Sequence, residues 1–146
     1  MNHSSTYSQN QAANYAVNQA QDHSSNPATR IEEVTDVTRM LAARALGVGS
    51  VFKTALDAGL TLFAYPAERE LLIGVGYHRD VLTPNTIETA LQRRFQSPQR
   101  FTCWLPALLA DGSFFMLQRR TRTSSDSDTC NISPEEIGNA LALFEA

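Results

Sequence analysis

Phe101-Thr-Cys-Trp-Leu-Pro-Ala-Leu-Leu-Ala-Asp-Gly-Ser-Phe-Phe-Met-Leu-Gln-Arg-Arg120 sets two apolar, aromatic-rich runs on either side of Asp111-Gly112. That dipeptide favours a tight type I′ turn, so the stretch predicts a β-hairpin over about 101–120. In the first run Phe101, Cys103 and Leu105 fall on one side and Thr102, Trp104 and Pro106 on the other. In the return strand Phe114 and Met116 oppose Phe115 and Leu117. Both faces are therefore apolar, whereas a sheet with one wet face alternates apolar with polar residues. The second face is expected to be covered as well, by the chain's own helices, by an identical subunit or by another polypeptide.

Helix signals bracket the hairpin. Upstream, Thr83 precedes Pro84 as a cap and first-turn pair, and Ile87, Ala90, Leu91 and Phe95 form an apolar stripe, so a helix is predicted over 84–96. Downstream, Ser133-Pro-Glu-Glu136 is a capping box, and Ile137, Ala140, Leu141 and Phe144 make the stripe of a final helix. Between them, Thr121 to Asn131 lacks bulky apolar groups and predicts a mobile loop. Closer to the N-terminus, Leu60–Tyr65 and Glu70–Tyr77 read as two more strands. Gly74 and Gly76 share one face of the latter, which suggests a bulge or a close helix above the sheet. Ser50 can cap a short helix from Val51 to about Ala58, and Thr29 a longer one over 31–46 that ends at Gly47-Val-Gly-Ser50. Residues 1–29 are rich in Asn, Gln and Ser and predict a disordered tail. The reading is an α+β domain over 30–146, an antiparallel sheet of two hairpins packed with helices in the order α-α-β-β-α-β-β-α.

The chain has 146 residues, 42% hydrophobic and 18% charged, which fits one globular domain with its own core. No apolar run is long enough to span a bilayer and no secretory leader is readable, so a cytoplasmic protein with no membrane partner is expected. Cys103, in the predicted strand, and Cys130, in a polar loop, have no metal-ligand spacing. They read as free thiols, with no metal and no cofactor.

No catalytic constellation is readable, so the chain is expected not to be an enzyme. His3 and His23 lie in the tail, and His78 ends a strand without a partner set by spacing. Glu32-Glu33 and Glu135-Glu136 sit in first turns of helices, where negative charge meets the helix dipole favourably. The net charge of −3 gives no general attraction to nucleic acid. Six arginines nevertheless crowd the stretch from Arg93 to Arg122 against a single acid, Asp111. That end could bind an acidic protein through residues such as Arg119 and Arg120, or serve as a solvated charged face. Nucleic acid would call for lysine and displayed aromatics as well. A small regulatory α/β domain that binds nucleic acid or an acidic protein through this arginine-rich end is the alternative function.

The run Leu105–Arg120 followed by Ile132-Ser-Pro-Glu-Glu-Ile-Gly-Asn-Ala-Leu-Ala-Leu-Phe144 resembles the last hairpin and terminal helix of the class I type III secretion chaperones, including their chaperone-like, HrpV-like regulators. The resemblance covers roughly two-thirds of the chain. It implies a small acidic cytoplasmic protein that forms a homodimer and binds an extended segment of a protein partner, a secreted effector or a regulator, without cofactor or turnover. It places Ile87, Leu91, Phe95 and Trp104 near the dimer interface, and Phe52, Leu56, Leu62 and Phe63 near the partner groove. The family carries a third strand before its central helix, for which the sequence offers only Tyr77–Thr83.

Overall fold

A computed structural model describes residues 26–145, in a chain that divides into two compact units between Val34 and Thr35. In the first unit, helix α1 (Pro27–Val48) begins. Asn26 Oδ1 accepts the backbone N–H of Ala28 at 3.1 Å and of Thr29 at 3.4 Å. Asn26 is thus the cap, with Pro27 in the first turn, where its missing N–H costs nothing. The start lies ahead of the expected Thr29 because the Asn-Pro pair supplies a stronger signal. The disordered tail expected over 1–29 falls mostly on residues outside the described ones, but Pro27–Thr29 are helical.

In the second unit α1 continues through a buried stripe of Thr35, Thr38, Leu41, Ala42 and Ala45. Five antiparallel strands follow: β1 (Phe52–Ala55), β2 (Thr61–Pro66), β3 (Glu70–Tyr77), β4 (Leu105–Leu108) and β5 (Phe114–Thr121). They lie in the order β1-β2-β3-β5-β4. Helix α2 (Pro84–Gln96) links β3 to β4; α3 (Asp126–Thr129) and α4 (Pro134–Phe144) follow β5. The fold is α+β on an antiparallel sheet.

The expected helix over 51–58 is instead β1, followed by a single 3-10 turn at Asp57–Gly59. In so short a window the apolar positions fit a period of two as well as 3.6, and pairing with β2 decides. Lys53 lies opposite Phe63, and Thr54 opposite Leu62. The third strand before the central helix is therefore residues 52–55, not Tyr77–Thr83, which forms the end of β3 and a turn.

The aromatic hairpin is shorter than its sequence suggests. Phe101–Cys103 belong to a turn that follows α2, in which the N–H of Phe101 donates to Ser97 O and that of Trp104 to Phe101 O. The aromatic run mimics a strand because Phe101 and Trp104 both drop into the core, at 3% and 0% exposure. The connection is a three-residue loop rather than a two-residue turn: Leu109 N–H donates to Ser113 O, and Gly112 N–H to Leu109 O. Gly112 adopts φ 89°, the left-handed position that such loops reserve for glycine.

The caps of α2 and α4 are those the sequence predicts. Thr83 Oγ1 accepts Thr86 N–H at 3.3 Å. Ser133 and Glu136 form the reciprocal box, with Glu136 N–H on Ser133 Oγ and Ser133 N–H on Glu136 Oε2. The loop expected over 121–131 contains α3, whose Ser125 Oγ accepts Asp128 N–H and which buries Thr129.

Among the described residues the helices pack on one side of the sheet. Phe144 of α4 stacks edge-on against Tyr77 at 5.4 Å and Phe114 at 6.3 Å. Arg44 of α1 stands over the Phe52 ring, and Arg39 Nε donates to Ile132 O just ahead of α4. Beneath them Leu62, Ala64, Leu71, Ile73, Val75 and Met116 are fully enclosed.

Candidate partner-binding site

Among the described residues no helix covers the other side of the sheet. Strand pairing lays its side chains in rows: Lys53, Phe63, Gly74, Leu117 and Leu105 make one, and Ala55, Thr61, Gly76, Phe115 and Ala107 the next. Tyr65 and Leu72 begin a third, which ends on Arg119. The rows enclose a shallow concavity of about 460 Å³ whose described lining comes from strands and their loops. Phe115 is buried at its floor, while Tyr65 and Leu105 are 49% and 45% exposed at its margins. A contiguous apolar surface on one sheet face, which none of the described helices covers, is the kind that marks an interaction site.

The two glycines shape this floor. A Cβ at Gly74 would stand 2.1 Å from the Phe63 ring, and one at Gly76 would stand 2.1 Å from the Phe114 carbonyl oxygen. Neither a bulge nor a helix explains them: Phe63 occupies the space above Gly74 and meets Phe115 edge-on, with centroids 5.0 Å apart.

Polar groups stand at the rim. Arg119 makes a two-pronged bond to Glu70, Nε to Oε2 at 3.0 Å and Nη2 to Oε1 at 3.2 Å, and this holds its guanidinium further above the ordinary pKa. At the other end His78 Nδ1 is 3.4 Å from Ser113 Oγ, which also accepts Arg79 N–H. Asp111 Oδ1 accepts Ser113 N–H at 2.9 Å, and the Ser113 bonds, helped by the nearby His78, hold its carboxyl below the ordinary range. Ser, His and Asp meet here, but the carboxylate is spent on a backbone amide. The trio fastens the β4–β5 loop to the end of β3.

The residues expected to bind a partner do not all come together. Phe63 and Arg119 lie on the open face. Leu62 is fully buried on the helix side, Phe52 is half-buried there under Arg44, and Leu56 is half-buried at the β1–β2 corner. Arg120 faces the helix side, where Nε donates to Thr129 O, Nη2 to Asn131 O and Nη1 to Glu136 and Gln118. Tyr65, Leu72, Leu105 and Leu117 complete the face and are not among the residues that the resemblance points to. Counting by twos from Phe63 along β2, and from the glycines along β3, finds the first two.

Most of the arginine cluster is likewise engaged. Arg93 caps the end of α4 by donating to Ala142, Leu143 and Glu145 carbonyls, Arg94 Nε donates to Trp104 O, and Arg122 Nη1 to Ala67 O. Of the six, Arg93, Arg94, Arg120 and Arg122 serve the fold's own backbone carbonyls, while Arg100 donates to the Asn139 side chain and Arg119 to Glu70.

A second apolar surface lies on α2. Its residues Ile87, Leu91 and Phe95 are one turn apart in a line; Leu91 is 41% and Phe95 84% exposed, and the helix buries only Ala90. Trp104, expected beside them at a dimer interface, is instead enclosed in the core, where Nε1–H donates to Glu136 O at 2.9 Å.

Cys103 is exposed in its turn, and Cys130 is buried, its thiol pKa pushed up by burial and by Asp126. Among the described residues no group of His, Cys, Asp and Glu is placed to hold a metal ion, and no helix is long and apolar enough to cross a membrane. No protein-family model matches the chain, and no curated protein matches it in sequence.

Proposed function

We propose that the chain is a non-catalytic, cytoplasmic protein-binding module of the type III secretion chaperone-like kind, which holds an extended segment of a secreted or regulatory partner on the open face of its sheet. The observation that carries this reading is the asymmetry of the sheet among the described residues: helices seal one face, while on the other half-buried Phe63, Leu72 and Leu117 and exposed Tyr65 line an open concavity. Apolar surface of this extent costs free energy in water at about 25 cal/mol per Å², which a bound polypeptide relieves. The strand at 52–55 supports the resemblance, since it supplies the third strand ahead of the central helix. Homodimerisation falls to the α2 ridge of Ile87, Leu91 and Phe95, with no share for Trp104.

The test is retention of a specific protein from the cytosol of the source cell on immobilised chain. Wild type is expected to retain it, and Leu72→Asp or Leu117→Asp to lose it while the circular dichroism spectrum is unchanged. Equal retention by wild type and both variants would sink the reading.

A further inference from the structure

The chain contains eleven arginines and one lysine, and that lysine, Lys53, stands on the open face. It lies directly across from Phe63 in the central apolar row, exposed, and lines the same concavity. Its ammonium makes no ion pair or side-chain hydrogen bond among the described residues, whereas Arg119, the other cation of this face, is held by both oxygens of Glu70. The face therefore presents apolar rows, one neutralised ion pair and one uncommitted positive charge.

Resting on the function proposed above, we propose that the open face selects an extended partner segment in which apolar side chains flank a carboxylate, seated against Phe63 and Leu72 and paired with Lys53. The charge complementarity is local. The molecule carries net −3, which disfavours an acidic ligand at long range, so discrimination in favour of an acid has to come from a cation inside the footprint. A lysine is suited to this, because its stem can lie along apolar surface while the compact ammonium meets a single oxygen pair. Lysine on an edge strand can also serve only to discourage strand-on-strand association, and the experiment separates the two roles.

Fluorescein-labelled synthetic peptides of alternating leucine and serine, identical except for a central Asp, Asn or Lys, are titrated with the full chain and followed by anisotropy. Wild type should prefer the Asp peptide to the Lys peptide by about tenfold at low salt, the combined effect of one attraction gained and one repulsion avoided, and less at high salt. Lys53→Gln should level the series and Lys53→Glu should invert it. If the peptides bind but the three affinities are equal, or the order survives both substitutions, the carboxylate preference is wrong and the docking face stands. Aggregation of both variants with the order unchanged likewise assigns Lys53 to edge protection. If none of the peptides binds wild type, the preference and the protein-binding reading fall together.

Discussion

The Phe63 ring covers Gly74, its partner across the β2–β3 pair, so closely that a methyl group on Gly74 would stand 2.1 Å from Cε2 of the ring. The atom in the way is the far end of a side chain. Gly74→Ala should therefore cost about 1–3 kcal/mol by overpacking. The double variant with Phe63→Ala should recover part of that loss in a denaturant-unfolding cycle, because the obstructing ring is gone.

Gly76 poses a harder constraint. Its added methyl would meet the Phe114 carbonyl oxygen at 2.1 Å and Phe115 Cα at 2.6 Å, both on the neighbouring strand. Backbone cannot swing aside as a ring can. Gly76→Ala is expected to destabilise more than Gly74→Ala, and no single side-chain truncation should rescue it. A melting temperature equal to or above that of Gly74→Ala would show that β3 and β5 separate more easily than their register implies.

The two aromatics expected at a subunit interface should now behave differently. Trp104→Ala removes a fully enclosed ring and its bond to Glu136 O, and should cost about 3–5 kcal/mol in unfolding. Phe95→Asp changes a side chain that is 84% exposed and should leave stability nearly unaltered. If α2 carries a dimer, sedimentation should register Phe95→Asp as a drop in mass. An unchanged mass together with a monomeric wild type removes the dimer from the proposal.

How much of this was legible in sequence follows the range of the forces involved. Thr83-Pro84 and Ser133-Pro-Glu-Glu136 announce their helices because a cap is a bond between residues three apart, and both are present as read. Strand β1 was hidden because four residues carry little local preference, and its identity comes from Phe63 and Leu62 across the sheet. Phe101 and Trp104 misled for the same reason, since apolar alternation looks alike in a strand and in a turn that drops two rings into a core. The apolar character of both sheet faces was readable from Phe114–Leu117, but which face the helices would take was not. The arginine excess was visible too, though its employment on carbonyls of Thr129, Asn131 and Ala142 depends on contacts far along the chain.

The loop clasp gives a pH dependence. Asp111 Oδ1 accepts Ser113 N–H, and its carboxyl is held below the ordinary value. A depressed folded pKa means that the native state favours the ionised form, so the stabilisation is present above the ordinary Asp range near ~4 and is lost as pH falls below it. Asp111→Asn keeps an acceptor and removes the charge. Unfolding curves of wild type and variant should differ above pH ~4 and converge below it; a gap that is constant down to strong acid would place the effect in geometry rather than charge.

Arg120 offers the strongest test of whether the cations are structural. Its side chain is 17% exposed and bonds to the carbonyls of Thr129 and Asn131, to Gln118 and to Glu136, which in turn closes the cap of α4. These bonds tie three elements: β5, the α3 turn and the start of α4. Arg120→Ala takes their donor from two carbonyls and leaves the Glu136 carboxylate only its Ser133 N–H, and should cost about 2–3 kcal/mol. Arg120→Lys keeps the charge but cannot spread its donors over the same fork, so it should recover only part of the loss. Hydrogen exchange should quicken at Thr129, Cys130 and Ser133 before it changes in β2 or β3, because the former amides lie in the segment that Arg120 pins. Uniform quickening throughout would mean that the guanidinium supports the whole fold, and no change at all would return Arg120 to the surface charge that the sequence first suggested.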